Sequence, residues 1–507
     1  MSFDIVLDFV LRICLTTCIL YPASRGGTMT RYKSIPLLQP LTTRLKPAEV
    51  CELLRNDRHP FFLDSGGDCR RLGRYSFLGS DPFLVFRHHR GRNEITGEDG
   101  TDVVRGNPFD VLKVLFSTFR LITPAGYPPF VGGAVGYFAY DLKHFIEKLP
   151  PPLAGEDDIP LCFLAFYDTI IIFDHLQDRV FISSTGLPEE REHYKRLRAK
   201  MRYEELCRKL NAGAAPLSPE PDILQQTSPE LTCNFKRDDY LKAILKAKEY
   251  IAAGDIYQVN LSQKFSARVN ASPFQLYKTV RSLNPAPFAS FLDCGDAAII
   301  SSSPERFLRI ADRRVETRPI KGTRPRGRDR AADERLKAEL LTSAKDLAEL
   351  VMIVDLERND LGRVCEYGSI SVPELIRLES YATVFHLVST ISGRLKEDKD
   401  HLDCIRAAFP GGSITGAPKI RAMEIIDELE PDRRGIYTGS MGYLGFNRQT
   451  DLNILIRTML YRNRTVQFQV GGGIVADSDP AMEYEETLHK GKALLAALGC
   501  GNGLPSA

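Results

Sequence analysis

The sequence has no excess of charge of either sign: 65 acidic side chains answer 67 Lys and Arg, leaving a formal net charge of +2 over 507 residues. A whole-molecule field able to gather nucleic acid or an anionic membrane is therefore missing. Paired cysteines are missing as well. Eleven cysteines are scattered from Cys14 to Cys500 with no CxxC and no close Cys/His set, and the odd count argues against a disulfide framework or a zinc site. A reducing, cytoplasmic setting is expected. No run reaches comfortable membrane length. The apolar stretch IVLDFVLRICLTTCILY is bordered by Asp4 and broken by Asp8 and Arg12, and no basic segment precedes it. Residues 1–28 are expected to be a leader or a start-site extension with little order, and Met29 opens MTRYKSIPLLQPL as a natural start would.

Two phosphate motifs also fail. In FVGGAVGYFAYDL the glycines Gly132, Gly133 and Gly136 do not make G-x-G-x-x-G, so close backbone packing is the better reading. In FPGGSITGAPKIRAMEIIDEL, Gly411 and Gly416 are followed by Ala-Pro-Lys where a P-loop needs Gly-Lys-Ser/Thr. Backbone amides near Ser413 could still hold a carboxylate, or the segment could be a turn and helix cap.

The composition, 43% hydrophobic and 26% charged, is that of a globular protein long enough for a large core. Residues 29–210 mix short strand-like runs, such as Tyr75–Leu78 and Thr169–Phe173, with helical patterns. NAGAAPLSPEPDILQQTSPE holds four prolines and little periodicity, which places a linker at 211–234. From 235 to 500 the signals sharpen. DDYLKAILKAKEYIAAGD reads as an amphipathic helix ending near Gly254; IYQVNLSQKFSARV, DLNILIRTMLY and TVQFQV read as strands, close enough in sequence to pair antiparallel. The class is α+β.

Several residues could carry chemistry. RPIKGTRPRGRDR holds six basic side chains and one acidic one, and Lys321 within it is either one charge of a phosphate patch or a buried amine kept for reaction. AKDLAELVMIVDLERNDLG is apolar nearly all round and reads as a buried helix with Glu349 inside the apolar band. A carboxylate there must be paired, neutralised or bound to a cation. In ADSDPAMEYEETLHKGKA, Asp479 and Pro480 form a helix start. Glu483 and Glu486 then share a face with Lys490 one turn on, directly after the glycines Gly471, Gly472 and Gly473. Carboxylates without soft ligands favour a hard divalent ion, Mg²⁺ above all. His386, inside an apolar strand-like run, reads as a core residue, and Glu305 after Pro304 as surface polarity.

Taken in order, GDIYQVNLSQKF, SSSPERFL, RPIKGTRPRG, LVMIVDLERNDLG, FPGGSITGAPKIRAMEIIDELE, GIYTGSMGYL and GGGIVADSDPAMEYEETLHKGKA resemble the chorismate-binding enzymes. The likeness covers about residues 235–497 and extends weakly to GGAVGYFAYDL and GRYSFLGSDP. It implies antiparallel β-sheets packed as a sandwich with helices outside. Within that family the residue before Gly-Thr is usually Ala in anthranilate synthases and Lys in aminodeoxychorismate synthases. Here it is PIKGT.

The resemblance therefore implies a chorismate aminase making 4-amino-4-deoxychorismate for 4-aminobenzoate and folate synthesis, with anthranilate synthase component I as the alternative. It implies Lys321 as nucleophile, Glu305 as general acid and His386 as a catalytic partner. Glu349, Glu483 and Glu486 would hold Mg²⁺. Tyr437, Arg457 and the amides of Gly472 and Gly473 would take the enolpyruvyl carboxylate. Thr323 and Lys490 would lie at the ring carboxylate, Ser413 would make nearby polar contacts, and Gly322 would also line the substrate site. Arg318 and Arg324, if turned inward, would lower the lysine's pKa. Two departures matter. The element matching the family's L-L-E-S is Phe62-Leu63-Asp64-Ser65, which leaves tryptophan binding open. No glutaminase half is visible, so ammonia is expected from a separate amidotransferase subunit or from ammonium salts.

Overall fold

The computed structural model describes residues 35–66, 71–153, 159–212, 229–381 and 384–500. The leader at 1–28 and residues 213–228 of the 211–234 linker lie outside the described residues, while Leu231–Cys233 near its end is a strand paired with Gln258–Arg268. Two twelve-stranded sheets, antiparallel throughout, carry the fold. Alternation explains how the first of them is covered on both faces. Phe61, Phe77, Leu292 and Ile299 enter the core shared with the second sheet. Their neighbours Phe62, Leu78, Phe291 and Ile300 point the other way, into a separate core beneath the helices Pro47–Leu54, Pro273–Leu283 and Pro480–Ala497. Between the sheets aromatic edges interlock, Phe77 meeting Tyr443 at 5.5 Å between ring centres.

Both halves of the chain build both sheets. In the first, Phe61–Leu63 pairs with Phe288–Asp293; in the second, Gly133–Phe138 pairs with Ser440–Gly445. The 211–234 segment thus separates two stretches of sequence whose strands share sheets. The glycines of FVGGAVGYFAYDL act as expected: a Cβ on Gly136 would overlap the carbonyl of Phe163. The expected strands at Tyr75–Gly79, Thr169–Asp174, Gln258–Arg268 and Thr465–Ile474 are present, as is the helix Arg237–Ala252.

One expected strand is corrected. DLNILIRTMLY is two strands, Thr450–Ile454 in the second sheet and Thr458–Arg462 in the first. Arg457 between them takes φ 51°, a conformation no strand interior adopts, and there the chain crosses from one sheet to the other. The helix Ala344–Gly362 also departs from expectation. It buries Leu350, Ile353, Val354 and Leu361 but leaves Val351 41% exposed, so it is half-buried rather than wrapped.

Candidate active site

Lys321 lies on the strand Ile320–Pro325, at the edge of the second sheet against Val384–Arg394. Lys321 faces Leu387 and Thr323 faces His386, so Gly322 is an extra residue, a β-bulge with φ 74°. In a regular strand residues 321 and 323 would share a face; the bulge breaks that alternation and re-aims the lysine. Its Nζ lies 3.5 Å from where a Cβ on Gly473 would sit, so the end of the Thr465–Ile474 strand in the other sheet forms the facing wall. Lys321 keeps some accessible surface, as a cleft residue does, yet protein surrounds it. Burial lowers its pKa, opposed by Glu349 and assisted by the ammonium of Lys490.

Arg318 and Arg324 do not supply that field, which corrects the expectation drawn from their nearness in sequence. Arg318 is buried against Glu379, at 2.5 Å. Arg324 pairs with Glu339 at 2.7 Å and Asp346 at 3.2 Å. Each guanidinium is neutralised by a carboxylate, so the basic run of the sequence dissolves into separate pairs.

Glu305 is also corrected. Rather than surface polarity it is 4% exposed, accepts a 2.6 Å hydrogen bond from Ser413 Oγ and takes a longer one from the Ile320 amide. Burial pushes its pKa up to about 6, against the pull of Ser413 and Lys321. A carboxyl poised there can give a proton near neutral pH. The Ser413 turn thus holds a carboxylate by a side-chain hydroxyl.

His386 is buried, shares a 2.8 Å hydrogen bond between Nδ1 and Thr323 Oγ1, and leaves Nε2 without a partner among the described residues. Burial, with Arg457 nearby, pushes its pKa down to about 3, so the ring is neutral. Arg457 is itself buried enough to lower its pKa, with Glu305 opposing, and it forms no ion pair among the described residues. A guanidinium so placed suits a carboxylate, whose two oxygens match its fork. Tyr437 is buried, its hydroxyl 2.9 Å from the place of a Gly471 Cβ.

The acidic residues gather at the other end of the cleft. Asp479 caps the helix Pro480–Ala497 by accepting from the Met482 amide, as expected. A Cβ on Gly472 would stand 3.3 Å from Glu483 Oε2, 3.9 Å from Glu486 Oε1 and 3.9 Å from Lys490 Nζ, so these three side chains close over the glycine backbone. Lys490 bonds Glu486 at 2.8 Å and the Gly471 carbonyl at 3.0 Å. Glu349 reaches the same corner through Lys345, whose Nζ is 4.0 Å from Glu349 and 3.3 Å from Glu483. Among the described residues no three of His, Cys, Asp and Glu stand close enough to hold a metal as they are. The donors are hard oxygens already sharing one cation, which fits a divalent ion of the Mg²⁺ kind once that ammonium moves.

Sequence reasoning missed two neighbours. Gln258 is buried, has Oε1 unpartnered among the described residues, and puts Nε2 2.5 Å from the place of a Gly473 Cβ. Lys345 could have been found from its i,i+4 spacing to Glu349. Asp64, of the element compared with L-L-E-S, is buried and taken by Arg281 and by the Tyr277 hydroxyl at 3.0 Å.

The profile of the chorismate binding enzymes matches residues 58–496. Anthranilate synthase component 1 of Bacillus subtilis (strain 168) is 40% identical over 480 residues, 92% of each chain. Aminodeoxychorismate synthase component 1 of the same organism is 38% identical over 447 residues, 88% of this chain and 93% of the relative. The crystal structure of anthranilate synthase component I from Streptococcus pneumoniae TIGR4 superposes with a TM-score of 0.73 at 32% identity, over 83% of this chain and 92% of that one. With the family profile matched over residues 58–496 and a relative 40% identical over 92% of each chain, the chain belongs to the chorismate-binding enzyme family and acts on chorismate.

Proposed function

We propose that the protein aminates chorismate at ring carbon 4, yielding 4-amino-4-deoxychorismate, with Lys321 as covalent nucleophile. One observation carries the reading: a desolvated primary amine faces the cleft at Gly473 with Glu305 close enough to act on its field. The neutral Lys321 amine adds to ring carbon 2 as the double bond shifts and the 4-hydroxyl departs as water, taking its proton from Glu305. Ammonia then attacks carbon 4, the double bond shifts back, and the lysine leaves as a neutral amine. One proton of the new ammonium returns to Glu305, so chorismate and ammonia become product and water. Two steps replace one hard displacement.

Arg457, with Tyr437 and the Gly472 and Gly473 amides, orients the enolpyruvyl carboxylate; Thr323 and Lys490 face the ring carboxylate. His386, neutral and hydrogen-bonded to Thr323, positions that hydroxyl. Glu349, Glu483 and Glu486 would hold Mg²⁺, which supplies charge to anchor the ring carboxylate. Ammonia comes from a separate glutamine amidotransferase subunit, consistent with the component naming of the relatives.

The test is intact mass after exposure to chorismate and Mg²⁺ without ammonia: an adduct is expected on the wild type and none on Lys321→Ala. A second reading, anthranilate synthase component I, is favoured by the naming of the 40% identical relative. Adding ammonium salts separates the two, since that activity releases pyruvate and a fluorescent product. The chain has no tryptophan, so anthranilate emission would stand on a low background. Anthranilate and pyruvate as the main products would overturn the aminase reading.

A further inference from the structure

We propose that Lys345 is the exchangeable counter-ion of the carboxylate corner, holding Glu349 and Glu483 together in the metal-free protein and withdrawing when a divalent cation enters. This rests on the reading of those glutamates as Mg²⁺ ligands. The two acids come from different helices, Ala344–Gly362 and Pro480–Ala497. Glu483 is fixed: its side chain is 5% exposed and Oε1 accepts from Ser478 Oγ at 2.6 Å. Glu349 is largely covered, its side chain 15% exposed, and a carboxylate so placed is costly to leave unpaired. Brought together without a cation, the pair would repel.

The amine of Lys321 also acts on Glu349 from a distance, but the ammonium groups paired with the carboxylates of this corner are Lys490 and Lys345, and they are held differently. Lys490 is anchored by the Gly471 carbonyl as well as by Glu486. Among the described residues Lys345 has carboxylates as its only partners, and its side chain is 49% exposed. Swinging its flexible four-carbon stem back to water therefore breaks no bond to the protein frame. A divalent ion bound to Glu349 and Glu483 by oxygens cannot share that position with an ammonium standing 3.3 Å from one acid and 4.0 Å from the other. The lysine thus competes with the metal. It keeps the corner assembled when metal is scarce and sets the concentration at which metal takes over.

The test titrates the full metal-free chain with Mn²⁺, read by electron paramagnetic resonance of free Mn²⁺, for wild type, Lys345→Met, Lys345→Arg and Glu349→Gln. Lys345→Met should bind more tightly by up to about fivefold, the scale of one partly exposed charge pair. Lys345→Arg should stay near wild type, and Glu349→Gln should bind more weakly. Without metal, Lys345→Met should melt below wild type and gain more from added Mn²⁺. Equal or weaker Mn²⁺ binding by Lys345→Met, with Glu349→Gln still impaired, overturns the counter-ion role alone. No effect of Glu349→Gln removes the metal reading, and the proposal falls with it.

Discussion

Glu305 and Glu357 are buried glutamates whose surroundings set different tasks. In the proposed mechanism Glu305, with a pKa of about 6, acts protonated to release the hydroxyl, whereas Lys321, its pKa lowered by burial, acts deprotonated. Adduct formation should therefore rise with pH on the lysine limb and fall as pH passes about 6 on the glutamate limb. Glu305→Gln should abolish the falling limb and slow the step roughly 10²–10⁴-fold, measured by the rate of adduct appearance across pH. Glu357, hydrogen-bonded by Thr317 at 2.8 Å, is pushed by burial from 4.5 up to about 8. Its folded pKa exceeds its unfolded one, so the folded state holds the extra proton between those values and stability falls as pH rises through that window. Glu357→Gln keeps the acceptor for Thr317 and removes the penalty. Its melting temperature should match wild type near pH 4.5 and exceed it by a few degrees at pH 8. At this scale the sequence pointed to the reactive types but not to their environments. Lys321 stood out by its motif, while its electrostatic neighbour Lys490 lies far along the chain and the nearby arginines turned out to be paired elsewhere. Glu305 looked superficial because burial is a property of the second sheet, not of the Ser-Pro-Glu turn.

Local elements were legible wherever their cause was local. The Asp479–Pro480 start of the last helix follows from two residues; Asp479→Ala should cost about 1 kcal/mol in chemical denaturation. It should also loosen the turn that presents Glu483, since the cap precedes that residue by four positions. Gly472 is a different case, needed for what packs over it. Gly472→Ala would bring a methyl 3.3 Å from the Glu483 carboxylate. That glutamate must shift by a few tenths of an ångström, so kcat/KM for chorismate should fall about tenfold while the melting temperature barely moves. The strand at DLNILIRTMLY was misread because apolar alternation continues across Arg457. Only a second sheet, invisible to local periodicity, explains why the chain turns there. The bulge at Gly322 was hidden for a similar reason, since register is set by the partner strand.

Across the whole molecule, the sandwich of antiparallel sheets was foreseen from the ordered motifs, but the sharing of both sheets by both halves was not, because strand partners far apart in sequence leave no local signature. Pairing of Phe61–Leu63 with Phe288–Asp293, and of Gly133–Phe138 with Ser440–Gly445, means neither half has its own complete layers. Residues 29–210 and 235–500 expressed separately should give little cooperative melting by circular dichroism. Expressed together they should recover it. Cleavage within 211–234 after folding should leave activity in place. The same interleaving bears on synthesis. About 225 residues separate Leu63 from Phe288, so at ribosomal speed the early strand waits roughly 10–45 s before its partner emerges. Throughout that interval the nascent chain carries unpaired strand edges, and its yield in a cell will depend on chaperones that shield them.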